Sequence, residues 1–158
     1  MSDDWACGGG REIRAMTNMF AENVRSEIDE LRQHYPALKD EDLFLVWFLR
    51  AYVTEDLEAA ARAITNGPKD KGVDAVLVDD SSRSVFVIQG KYRHKPGGKS
   101  ESRQDVMGFA QIAHLMTDAD SKAFREFLDG ADATLADKLS EARQRLARRG
   151  YRLWLYYA

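Results

Sequence analysis

The sequence predicts an α/β domain, a small mixed β-sheet flanked by helices with an amino-terminal helical extension. Three observations predict it. Two short runs rich in β-branched and aromatic residues, Val73 to Val78 and Val85 to Tyr92, flank the polar turn-forming stretch Asp79-Asp80-Ser81-Ser82-Arg83-Ser84, so they read as a hairpin. Helical periodicity lies on both sides of that hairpin. A last run, Tyr151-Arg152-Leu153-Trp154-Leu155-Tyr156-Tyr157, reads as a third strand. Helices separate it from the hairpin, so it would lie parallel beside it through a helical crossover.

The elements follow in order. Residues 1–40 read as the extension packed on the core and 41–158 as the core, one domain overall. Arg11 to Gln33 carries Ile13, Met16, Phe20, Val24, Ile28 and Leu31 at helical steps, all expected inward, and Pro36 breaks it. Glu41 to Val53 is a very apolar helix whose start suits the acids Asp40, Glu41 and Asp42. Thr54 is expected to cap a further stretch, Glu55 to Ile64. Beyond the hairpin, 95–100 reads as a loop. Ser102 and Asp105 resemble a capping box for a helix reaching about Met116, with Val106, Phe109, Ala113 and Met116 inward. Lys122 to Leu128, closed by Gly130, and Thr134 to Arg149, closed by Gly150, complete the helices. Trp47 and Trp154 read as core, Tyr92 as core or stacking surface, and the Arg143, Arg145, Arg148 and Arg149 cluster as a solvated helix end.

Composition narrows the class. A chain of 158 residues with 44% hydrophobic and 31% charged content is an ordinary globular domain able to bury a core. Its longest apolar stretch, Leu43 to Leu49, is too short to span a bilayer, and the start lacks the pattern of a signal peptide. The single cysteine, Cys7, has no intrachain disulfide partner, and the three histidines form no zinc pattern. A cytoplasmic protein is the expectation. Net charge is −3, yet residues 67–103 hold eight basic and five acidic residues while the remainder is acidic overall. Positive charge therefore gathers near the hairpin, where a phosphate backbone would lie; a solvated Lys/Arg loop is the alternative.

The residues with chemistry stand at the strand ends. With the turn centred between Ser81 and Ser82, Asp74 faces Gln89, and strand alternation puts Gln89 and Lys91 on one face with Gly90 on the other. A slip of one residue would reverse that. An Asp in an apolar strand is costly to desolvate unless paired or metal-bound. Two readings of Asp74 stay open on pattern alone: a metal-binding carboxylate, or an acid before the strand that answers Lys69 or Lys71.

The stretch Asn66-Gly67-Pro68-Lys69-Asp70-Lys71-Gly72-Val73-Asp74-Ala75-Val76, followed by Val87-Ile88-Gln89-Gly90-Lys91-Tyr92, resembles the core of the PD-(D/E)xK nuclease superfamily. It is similar to the Gln-x-Lys variant of Mrr-type restriction enzymes. It looks most like the amino-terminal nuclease-like region of the abortive-infection phage-resistance (AIPR) family. The resemblance implies a restriction-endonuclease-like core and a metal-dependent DNA endonuclease of phage defence or restriction. It implies catalytic Asp74, Gln89 and Lys91, with Mg²⁺ or Mn²⁺ on Asp74, Gln89 and the Gly90 carbonyl, and Lys91 orienting the attacking water. Gln in place of an acid removes one negative charge, which weakens a second metal site.

An upstream acid, Asp42, Glu41, Glu55, Glu58 or Asp70, would join the site, although Asp42 reads first as a helix cap. Double-stranded DNA is the implied partner, contacted by Lys69, Lys71, Arg93, Lys95, Lys99 and Arg103. Two copies paired as a homodimer are a further implication of the resemblance; relatives carry a long carboxy-terminal region, so the chain reads either as a minimal stand-alone member or as a piece with a missing carboxy-terminal region. The alternative is a non-catalytic nucleic-acid-binding or protein-interaction module retaining the nuclease fold.

Overall fold

The computed structural model describes residues 9–65, 67–93 and 100–158, with side chains of the first helix described at 16 and from 19 onward. The helices are α1 (Gly9–His34), α2 (Asp40–Tyr52), α3 (Leu57–Ala63), α4 (Arg103–Ala110), α5 (Ile112–Thr117), α6 (Ser121–Leu128) and α7 (Ala133–Leu146). The strands are β1 (Ala75–Asp79), β2 (Ser84–Gln89) and β3 (Arg152–Tyr157). They form a mixed sheet of order β1-β2-β3, the hairpin antiparallel and β3 parallel to β2 after the α4–α7 crossover. The chain is thus mixed α/β with a small three-stranded sheet.

The hairpin register is the one that centres the turn between Ser81 and Ser82, with Asp79 opposite Ser84 and Ala75 opposite Ile88. The Asp79 carboxylate shapes the turn by accepting from the backbone N–H groups and hydroxyls of Ser81 and Ser82. Those donors stabilise the ionised carboxylate and hold its pKa at about 2.

Strand alternation divides the core. Val76, Val85 and Val87 face α4–α7, where they pack with Phe109, Ile112, Met116, Phe124, Leu135, Leu139 and Ala142. Ala75, Leu77 and Ile88 face α2 and α3, against Leu45, Val46, Leu49, Ala60 and Ala63. A strand buried on both faces reads as a continuous apolar run, which is why Val85 to Ile88 lacks polar alternation. Lys138 of α7 reaches around the edge of β1 and donates to the carbonyls of Arg62 and Ile64 at the end of α3, tying the two helical layers together.

Several expectations need correction. Ile28 is buried, but Met16 is 67% and Phe20 60% exposed; Ile13's side chain lies outside the described residues. For Met16 the cause is length: α1 has 26 residues and α2 only 13, so at about 1.5 Å per residue the start of α1 has no helix to face, whereas Phe20 borders a cavity shared with α2. The cap of α3 is Asp56, whose carboxylate accepts from Ala59 N–H, while Thr54 accepts from Asp56 N–H one step earlier. Ser102 does cap α4 through Asp105 N–H. The helix then breaks at Gln111, where His114 N–H bonds a carbonyl only three residues back, and Val106 faces solvent.

Trp47 is half-buried, with its indole N–H on Glu27 Oε2 at 2.7 Å, and Trp154 on the edge strand is 42% exposed. Arg143 and Arg145 are not a solvated helix end. Arg143 lies 4.6 Å over the Phe124 ring and donates to the Asp118 carbonyl. Arg145 clasps Asp80 through Nε and Nη2.

Candidate active site

Asp74 immediately precedes β1, and three contacts fix it. Its N–H donates to the Ile88 carbonyl and its own carbonyl accepts from Thr65 N–H, each at 2.9 Å. Its Oδ2 accepts from Gly90 N–H at 2.8 Å. The Ile64–Ala75 bridge and the Thr65 hydroxyl, which donates to the Val73 carbonyl, brace the outer edge. Asp74 is therefore held between neighbours on both sides with one carboxylate oxygen engaged.

Gln89, at the end of β2, is buried at 8% exposure. Its carboxamide rests on Gly72, where an added Cβ would lie 3.3 Å from Nε2. Gly72 has φ +75° and Lys71 before it φ 54°, so the lead-in makes a tight left-handed turn beneath Gln89. Asp70 builds that turn by accepting from Gly72 N–H at 2.9 Å. Gly90 is required from the opposite side, since a Cβ there would stand 2.7 Å from Leu45 Cδ2. Beyond β2 the parallel pairing continues: Ala158 N–H donates to the Gln89 carbonyl and Lys91 N–H to the Ala158 carbonyl.

Burial raises the Asp74 pKa, and the Asp70 and Asp42 carboxylates add to it; Gly90 N–H and the Lys91 ammonium oppose it. The structure thus brings Asp74, Gln89, Gly90 and Lys91 to one end of the hairpin, with Lys91 exposed and near enough for its charge to act on Asp74. Among the upstream acids, Asp70 and Asp42 are the ones whose charge is felt there. Asp42 also serves the α2 capping box through Lys39 N–H. Glu58 pairs with Arg62, and Glu41 and Glu55 are exposed.

Lys69 and Arg103 are exposed. Lys71 donates to the Asp129 carbonyl at 3.1 Å, and Arg93 pairs with Glu101, which also accepts from Tyr157. Lys95, Lys99 and Asn66 lie outside the described residues. Sequence reasoning missed Thr65 as a brace and Gly72 as the floor of Gln89. The adjacent Lys-Gly step before Val73 was the available signal for the second.

The donors around Asp74 are oxygens of carboxylate, carboxamide and carbonyl type, suited to a hard divalent cation. Its half-buried carboxylate, whose pKa is raised first by burial and then by two neighbouring acids, is an environment that a cation would relieve. Among the described residues, no group of three or more His, Cys, Asp or Glu side chains could hold a metal ion, and no helix is long and apolar enough to cross a membrane. Compared with known proteins, the chain matches no family model, no curated protein and no solved structure.

Proposed function

We propose that the chain is a nuclease-like domain that hydrolyses phosphodiester bonds of DNA with Mg²⁺ or Mn²⁺, in a phage-defence or restriction role. One observation carries it: a half-buried carboxylate, Asp74, is held by the Gly90 N–H that lies between Gln89 and Lys91, and the Lys91 charge acts on it. The antiparallel hairpin followed by a parallel strand after a helical crossover is consistent with a restriction-endonuclease-like core.

Asp74, the Gln89 oxygen and the Gly90 carbonyl would hold the cation, with Asp70 and Asp42 adding negative potential. When bound, such a cation supplies positive charge to the phosphate oxygens. Lys91 orients the attacking water and offsets charge developing on the phosphate in the transition state. Gln89 contributes an oxygen without a second negative charge. Gly90 N–H holds the Asp74 carboxylate in place.

The test is a supercoiled plasmid incubated with Mg²⁺ or Mn²⁺ and the chain, Asp74→Ala or Lys91→Ala. Nicking by the parent that both substitutions abolish supports hydrolysis. Nicking that survives both ends this assignment. A second reading, a non-catalytic nucleic-acid-binding or interaction module, is favoured by the lack of a three-acid cluster among the described residues. Salt-sensitive DNA binding that survives both substitutions, without cleavage, would establish it.

A further inference from the structure

Between α1, α2 and the segment after β2 lies a cavity of about 380 Å³. That is within the roughly 300–1,000 Å³ range of small-ligand sites. Its wall is aromatic, formed by Phe20, Phe44, Trp47, Phe48, Tyr52 and Tyr92. The rings run in series: Tyr92 to Phe44 at 5.4 Å, Phe44 to Trp47 at 5.8 Å and nearly parallel, Trp47 to Tyr52 at 6.2 Å, and Tyr52 to Phe48 at 5.0 Å. A core cluster would be sealed, but Phe20 and Tyr52 are each 60% exposed.

Three cationic residues, Arg25, Lys91 and Arg93, line the same cavity, with Arg93 also paired to Glu101. An apolar peptide or lipid tail has no use for them. A phosphate attached to a flat aromatic group does, because rings stack on the base while cations face the anion. Lys91 is shared: it lines this cavity and its charge acts on Asp74. A phosphate between Asp74 and Lys91 would therefore have its nucleoside beside the aromatic wall.

We propose that the cavity is a base-stacking subsite that takes an unpaired nucleobase of the strand whose phosphate lies at Asp74 and Lys91. This rests on the hydrolase reading of that site. Bases inside a duplex are stacked on one another, so only a single-stranded, flapped or flipped nucleotide can offer its face. The substrate class narrows to DNA with at least one unstacked base.

The experiment measures fluorescence anisotropy of a labelled oligothymidylate and of a duplex of equal length, with the full chain in EDTA at one salt concentration. The single strand is expected to bind more tightly. Tyr52→Ala and Phe20→Ala should each weaken it by about 5-fold or more, the lower end of base-stacking effects. Tyr52→Phe, which keeps the ring, should bind like the parent. Equal affinity for duplex and single strand, or no loss on either alanine substitution, overturns the proposal.

Competition by unlabelled oligothymidylate but not by thymidine monophosphate places the base in a strand. Equal competition by both overturns that assignment and makes the cavity a free-nucleotide site. A dimer that Phe20→Ala dissolves also overturns it, since a second copy would then cover the wall. Asp74-dependent cleavage without single-strand preference removes this subsite and leaves the hydrolase reading. Tyr52-dependent strand binding without cleavage does the reverse.

Discussion

Gly72 carries no side chain where the Gln89 carboxamide comes to rest, and a β-carbon there would sit 3.3 Å from Nε2. The residue that shapes the lead-in loop is thereby also the one that seats the buried polar side chain of β2. Substitution at Gly72 meets two penalties at once, a left-handed backbone at φ +75° and a crowded carboxamide. Gly72→Ala should destabilise the fold by about 1–2 kcal/mol from the backbone alone. Urea unfolding checks it. A variant as stable as the parent would show that the loop relaxes without moving Gln89.

Asp74 offers a test in which stability and function oppose each other. Its folded pKa is raised above the unfolded value, so the ionised form is penalised in the fold at neutral pH; the penalty fades as pH falls through the folded pKa and is gone below the unfolded one. Asp74→Asn keeps an oxygen for Gly90 N–H and removes the charge. In EDTA at neutral pH it should melt at a higher temperature than the parent, with the gap closing in acid. Mg²⁺ or Mn²⁺ at 100 times its dissociation constant should stabilise the parent by about 2.7 kcal/mol and leave Asp74→Asn unmoved. A parent indifferent to both metals would sink the metal assignment.

Gly90 meets α2 from the other face of the hairpin. Gly90→Ala pushes a methyl group onto the buried Leu45, 2.7 Å from Cδ2, in a core already closed. Overpacking of this kind costs about 1–3 kcal/mol. Leu45→Ala alone should also destabilise, through a cavity. The double variant should lose less than the two losses added, because the second methyl occupies space that the first substitution opened. Strict additivity would place the strain elsewhere.

The hairpin turn should be acid-sensitive. The Ser81 and Ser82 donors depress the Asp79 pKa to about 2, so its contribution to stability is present above the ordinary carboxylate range and is lost as pH falls toward 2. Replacing both serines by alanine should lower stability at pH 7 and narrow the difference from the parent near pH 2. Denaturation curves at the two pH values decide it. An equal deficit at both would mean that the hydroxyls act independently of the Asp79 charge.

The hairpin was legible because its signals agree: an apolar run on each side and, between them, the polar turn-forming stretch Asp79-Asp80-Ser81-Ser82, whose serines donate to the Asp79 carboxylate. That register ends at Ala75 opposite Ile88, and Asp74 just before it bonds the Ile88 carbonyl and Gly90 N–H. Thr54 and Asp56 were harder to separate, since either side chain can accept from a helix start and local pattern ranks them alike. The α1 stripe pointed to burial along its whole length, but periodicity contains no information on how long the partner helix is. No breaker residue marks Gln111. The aromatic cavity was hidden for a different reason: its rings come from α1, α2 and the segment after β2, and only the tertiary fold assembles them.

Residue 158 supplies both backbone partners that lock the stretch from Gln89 to Lys91 onto β3. Because the Gly90 N–H between them is taken by Asp74, the segment that carries Lys91 is pinned from both flanks, and loss of either anchor would free it to swing.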